Sequence, residues 1–269
     1  MKTYAMVMTM LALFLFGIYV MVTKTPEEPV VSSTPVEQQE TVLFFDDFDS
    51  FDETKWSHCF PGNNCTHDDN NELQFYQPEN VTFEDGIATF TAKKEAKNGY
   101  PYTSGLIQTD DKFAFKYGYV EVRAKTPKGA GLWSTAWLLA EDNQWPPELN
   151  VLEQIGQINE TNFVGIHYKR DDGQNAYTQQ TVVTEHDLSQ DFHVYGMDWQ
   201  EGEVTWYLDG EEVASYKNVY NVSDKPMYLL LNLAVGGTGG GNPTTETQFP
   251  ASFQVDYIKV TEGKHVQTQ

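Results

Sequence analysis

Glu148-Leu149-Asn150-Val151-Leu152-Glu153 sets two carboxylates and one amide in a short run, directly after Trp145-Pro146-Pro147. On a regular strand, side chains alternate between faces, so Glu148 and Asn150 share one face and Glu153 falls on the other. One extra residue inserted around Val151 or Leu152, a β-bulge, returns Glu153 to the first face. Both acids and the amide then converge. Such a pair suits double displacement at a sugar C1: one carboxylate attacks and the other serves as general acid and base, roughly 5–5.5 Å apart. Two glutamates on an exposed strand face are more often simply solvated, so the surrounding chain must decide.

The elements that would position this pair read as strands. Val120, Val122 and Ala124 alternate with Glu121, Arg123 and Lys125, a period of two. Val204–Leu208 and Glu211–Tyr216 flank Asp209-Gly210, a strong two-residue hairpin signal. Met227–Val235 is apolar on both faces and reads as a central strand covered on both sides. No stretch after residue 42 shows a capped amphipathic helix. Many strands with turn punctuation imply two packed antiparallel sheets, an all-β sandwich.

The run Gly129-Ala130-Gly131-Leu132-Trp133-Ser134-Thr135-Ala136-Trp137-Leu138-Leu139, followed by the acidic strand, resembles the signature of glycoside hydrolase family 16. Further landmarks follow in that family's order. They include Phe45-Asp46-Asp47-Phe48, Asn71-Glu72-Leu73-Gln74-Phe75-Tyr76, Asn232-Leu233-Ala234-Val235-Gly236-Gly237 and Val255-Asp256-Tyr257-Ile258-Lys259-Val260. The resemblance spans about residues 42–262 and is closest to the laminarinase-like, bacterial endo-β-glycanase branch. It implies a jelly roll whose two curved sheets form a concave substrate groove. Glu148 would be the nucleophile and Glu153 the acid/base, with Asn150 standing where the family usually has Asp. Trp133 and Trp137 would stack on sugar near the cleavage point, Trp145 would cap the site, and His167 and Asn232 would touch substrate. Asp47, the Gly86 backbone and Asp256 match a structural Ca²⁺ site; no catalytic cofactor is implied.

The implied activity is endo-hydrolysis of a β-1,3- or mixed-linkage glucan, or of a bacterial exopolysaccharide. Transglycosylation on the same glycans shares the first chemical step. A non-catalytic carbohydrate-binding relative is the other alternative, because Asn150 carries no charge and cannot share a proton.

The chain has 269 residues, a net charge of −22 and 14% aromatic residues. That charge argues against nucleic acid and anionic polymers as partners, and the aromatic content suits a sugar groove or a thick β core. A monomer is expected. Tyr4–Val22 is an apolar run preceded by Lys2, long enough as a helix to span a bilayer core. Residues 1–23 therefore read as a signal peptide or an uncleaved membrane anchor, and membrane contact is expected only there. Residues 24–41, rich in Pro, Glu, Ser, Thr and Gln, read as a flexible linker, and 263–269 as a tail. The catalytic domain between them, 42–262, is expected outside the cytoplasm. Cys59 and Cys65 in a loop-like stretch fit either a disulfide or two free thiols. Gly236–Gly241 follows a strand and reads as a flexible loop at the groove edge, not a phosphate-binding turn.

Overall fold

The computed structural model describes residues 40–265. The expected signal or anchor at 1–23, nearly all of the 24–41 linker and the last four residues lie outside the described part. In chain order the strands are β1 (Val42–Asp46), β2 (Ser57–His58), β3 (Gln74–Tyr76), β4 (Val81–Glu84), β5 (Ile87–Ala92) and β6 (Tyr102–Ser104). Then come β7 (Leu106–Gln108), β8 (Ala114–Phe115), β9 (Gly118–Lys125), β10 (Leu132–Ala140), β11 (Glu148–Ile155) and β12 (Thr161–Lys169). The last six are β13 (Asn175–Val183), β14 (His193–Gln200), β15 (Glu203–Leu208), β16 (Glu211–Lys217), β17 (Met227–Val235) and β18 (Ala251–Thr261). Among the described residues the only α-helix is one turn, α1 (Gly237–Gly240), and none is long and apolar enough to cross a membrane.

Two large antiparallel sheets pack face to face as a jelly-roll sandwich. One runs β16-β15-β14-β9-β18-β5-β4, with β1 paired to β18; the other runs β13-β12-β11-β10-β17-β7-β2, with β8 paired to β17. Period-two patterning explains which residues face inward. On β9, Val120, Val122 and Ala124 are fully buried, while Glu121, Arg123 and Lys125 are partly exposed. β17, apolar on both faces, has every residue buried, with β10 on one side of it and β7 and β8 on the other. Asp209 and Gly210 join β15 to β16 with both residues at positive φ, as a two-residue hairpin turn requires. The core between the sheets is dense with aromatics, including Trp199, Trp206, Phe90 and Phe253 against Leu138, Leu149 and Leu231.

Both ends of the described part join this body. Glu262 N–H donates to the Thr41 carbonyl at 2.8 Å, and the His265 ring stacks on Tyr119 at 4.1 Å. The beginning of the expected tail thus packs down on the domain. Cys59 and Cys65 form a disulfide, which closes the loop beside β3. Gly236–Gly241 departs from the expected loop. It winds into α1 and lies on Trp133, where a Cβ on Gly239 would come within 2.7 Å of the indole Cη2. Only glycine lets the backbone sit that close to a large ring.

Candidate active site

β11 carries the bulge that the acid spacing requires. Against β10, Ala136 pairs with Leu152 and Trp137 with Asn150, so Val151 is the extra residue. Against β12, Asn150 pairs with Gly165 and Glu153 with Phe163, the same one-residue excess. The physical reason lies in two adjacent apolar side chains. Val151 and Leu152 are both buried; strict alternation would turn one of them, or Glu153, the wrong way. The bulge sends both into the core and brings Glu148, Asn150 and Glu153 to one face.

A bulge breaks ladder hydrogen bonds, and two side chains compensate. Glu153 N–H donates to Asn162 Oδ1 at 3.1 Å. The Asn150 carbonyl accepts Trp206 Nε1–H at 2.8 Å, from the opposite sheet. Neither partner stands out in the sequence: Trp206 lies 56 residues from Asn150, and Asn162, nine residues past Glu153, meets it only through the β11–β12 pairing.

On the groove face the Asn150 amide nitrogen donates to Glu148 Oε1 at 3.0 Å and to Glu153 Oε2 at 3.1 Å. The two carboxylates are therefore separated by no more than two hydrogen bonds through a shared nitrogen. That is the close spacing of a double-displacement pair and leaves little room for a water between them. Trp145 Nε1–H donates to Glu148 Oε2 at 2.8 Å, and His167 Nε2 stands 3.5 Å from Glu148 Oε1. Glu153 sits in a different setting. Burial, helped by the neighbouring Glu148 charge, pushes its carboxyl up to about 8, while Gln179, Asn150 and Trp133 oppose the rise. One acid is fixed by several N–H donors and the other is held in its protonated form near neutral pH. This is the division of labour that a nucleophile and a general acid need.

A single cleft of about 720 Å³ gathers the residues expected from the sequence: Glu148, Asn150, Glu153, Trp133, Trp137, Trp145, His167 and Asn232 all line it. Trp133 and Trp137 share a face of β10, as their parity predicts. Asn232 is only 3% exposed, and its amide is engaged. Its Oδ1 accepts Trp137 Nε1–H at 2.8 Å and Thr135 Oγ1–H at 2.7 Å, and its Nδ2 donates to Tyr76 O–H at 3.0 Å. Asn232 therefore holds the Trp137 indole in place from below the groove.

The sequence did not single out Glu72, yet it anchors one wall. Its buried carboxylate accepts from Asn70, Gln74 and Tyr76 and faces His67 Nδ1 at 3.2 Å. Burial works to raise its pKa, but these hydrogen bonds and the His67 charge outweigh it, and Glu72 lies below its usual range. The same hydrogen bond lifts His67 above its usual value. Phe60, in the disulfide loop, packs edge-on against Trp137 at 6.2 Å.

The sequence profile of glycosyl hydrolases family 16 matches residues 68–259. The chain belongs to glycosyl hydrolases family 16. It is 38% identical over 216 residues to endo-1,3-1,4-beta-glycanase EglC of Rhizobium meliloti and 37% identical over 180 residues to ExsH, named as the same activity in that organism. These alignments cover 74% and 65% of this chain, and 45% and 38% of the relatives, so the chain spans less than half the length of either. Its fold is similar to that of the laminarinase catalytic domain from Thermotoga maritima, with a TM-score of 0.74, 30% identity and coverage of 85% of this chain and 100% of that one.

The family 16 calcium positions divide here. The Asp47 carbonyl oxygen and Asp49 Oδ1 lie 3.5 and 3.8 Å from where a Gly86 Cβ would stand, and oxygen donors of this kind are the ones a hard cation takes. Asp256 Oδ2 is paired with Arg123 Nη1, which leaves only Oδ1 for an ion. Among the described residues no group of three or more His, Cys, Asp or Glu side chains forms a metal-ligand cluster.

Proposed function

We propose that this protein is an endo-acting retaining β-glycanase. The observation that carries the reading is the pair Glu148 and Glu153, bridged by one amide nitrogen, with burial and the Glu148 charge holding the proton on Glu153 up to about 8. In the first step Glu153 donates its proton to the glycosidic oxygen while the Glu148 carboxylate attacks C1, giving a glycosyl-enzyme and a free reducing-end fragment. In the second, Glu153, now a carboxylate, takes a proton from water as the oxygen attacks C1 and Glu148 is released. Trp133 and Trp137 line the cleft, where their indoles can stack on sugar C–H surfaces. The names of the two Rhizobium meliloti relatives support a β-1,3-/β-1,4-linked glycan as substrate. Asn150 does not argue for a binding-only relative, since with an amide in that place Glu153 still holds its proton to about 8.

The test incubates the protein with laminarin, mixed-linkage glucan and a bacterial exopolysaccharide, with products followed by chromatography. New oligosaccharides from the wild type, reduced at least ~100-fold in Glu148→Gln, are expected. Binding without turnover, unchanged in Glu148→Gln, would defeat the reading. The reading extends to residues 1–23 as a signal or anchor and 24–41 as a tether that place the domain outside the cytoplasm, which cell fractionation checks. It also includes a structural Ca²⁺ near Asp47, Gly86 and Asp256, checked by comparing melting temperature in calcium and in chelator.

A further inference from the structure

Beyond the cleft, on the side of β12, lies β13, the outermost strand of the groove sheet. The register aligns Tyr177 with His167 and Gln179 with Gly165. Those two β12 residues pair in turn with Glu148 and Asn150. Tyr177, Gln179 and Thr181 therefore share the face of the catalytic pair, and all three are exposed. Edge strands are commonly guarded by charges, but this stretch of β13 has none on its groove face.

Tyr177 is 66% exposed. Its ring stacks on His167 at 5.5 Å and 28°, and His167 meets Trp145 at 5.5 Å. One face of Tyr177 is thus covered and the other open, at the end of a three-ring row that begins beside Glu148. Gly165 lies between Asn150 and Gln179; a Cβ there would collide with the Thr178 carbonyl and press on the Gln179 backbone. With no side chain in that gap, the Gln179 amide reaches across to the Glu153 carboxyl. The reverse face of β13 is fastened to the outer sheet, where Gln180 Nε2–H donates to the Ser215 carbonyl at 2.7 Å. The platform is therefore held in place before any ligand arrives.

We propose that β13 carries an additional sugar subsite, in which a pyranose ring of the same glycan chain stacks on the open face of Tyr177 and Gln179 hydrogen-bonds its hydroxyls. A neutral hexose fits: its C–H face matches the ring, and no cation stands on this part of the strand to select an acidic sugar. The subsite rests on the β-glycanase reading above and lengthens its groove by one strand.

The test measures kcat/KM on short and long β-glucan oligosaccharides for wild type, Tyr177→Ala and Tyr177→Phe. The advantage of long over short substrates is expected to fall about tenfold in Tyr177→Ala, the size of one good ring-stacking contact. It should survive in Tyr177→Phe, which keeps the ring. A long-to-short ratio unchanged in Tyr177→Ala, or one lost equally in both variants, overturns the subsite while leaving the glycanase standing. A wild type that releases nothing from any β-glucan overturns both.

Discussion

On one side of β11, the groove is walled by β10, β17 and the loop that precedes β3; on the other, β12 and β13 lie open. The walled side is a buried polar chain that runs from His67 through Glu72 and Tyr76 to Asn232, and ends at Thr135 and the Trp137 indole. Each member is partnered, and the Cys59–Cys65 loop closes over it with Phe60. The open side orders its groups by surface ring contacts, Trp145 tilted against His167 and His167 stacked on Tyr177. Buried hydrogen bonds fix position strongly because an orphaned partner cannot turn to water. Exposed stacking is cheap to change. Substitutions on the walled side should therefore cost stability and turnover together, and those on the open side should cost recognition alone.

The sharpest break of that contrast is Tyr76→Phe. It removes one hydroxyl at a fully buried site and leaves both Glu72 Oε2 and Asn232 Nδ2 short of a partner. The expected loss is about 2 kcal/mol of stability, or a melting temperature lower by roughly 4–8 °C for a domain of this size. Turnover should fall with it as the Trp137 indole loosens. A variant that melts like the wild type would show that the polar chain is ornamental to the fold.

His167→Ala is the matching change on the open side. It removes the ring between Trp145 and Tyr177 and the nitrogen beside Glu148. Activity on a β-glucan should fall about tenfold, and the melting temperature should stay within roughly 2 °C of wild type. A large drop in melting temperature would erase the distinction between the two sides.

The same distinction governs what the sequence made legible. Glu148, Asn150 and Glu153 could be placed because a bulge near Val151 or Leu152 would bring them to one face and the surrounding run resembles the family 16 signature. Strand identity, the Asp209-Gly210 hairpin and the buried central strand followed from period and turn chemistry. The supports of the bulge did not. Trp206 and Asn162 serve through single hydrogen bonds made by the fold, and no spacing rule links them to the acids. Glu72, Tyr76 and Asn232 are joined across 156 positions of chain between the last two. Asn232 lines the cleft where the resemblance placed it, but that its amide also ties Trp137 to Tyr76 was not legible. Gly236–Gly241 was read as a loose loop because glycine signals freedom, whereas here it supplies close contact with Trp133. β13, polar and half exposed, gave no sign that it shared a face with the acids until its register was known.

The smallest expected effect tests the residue on which both sides meet. The Asn150 amide gives N–H groups to both carboxylates, and its hydrogen bond opposes the rise of Glu153 caused by burial and the Glu148 charge. Glu153 must be protonated to open the reaction, so kcat/KM should fall as pH rises through about 8. In Asn150→Asp the donor is lost and a third acid is added, and both changes favour the protonated form of Glu153. The alkaline limb of the pH–rate profile should therefore move upward, with the pH optimum following it. A limb that stays in place would mean that burial and the Glu148 charge set the Glu153 proton and that the amide's task is confined to holding the two carboxylates in position.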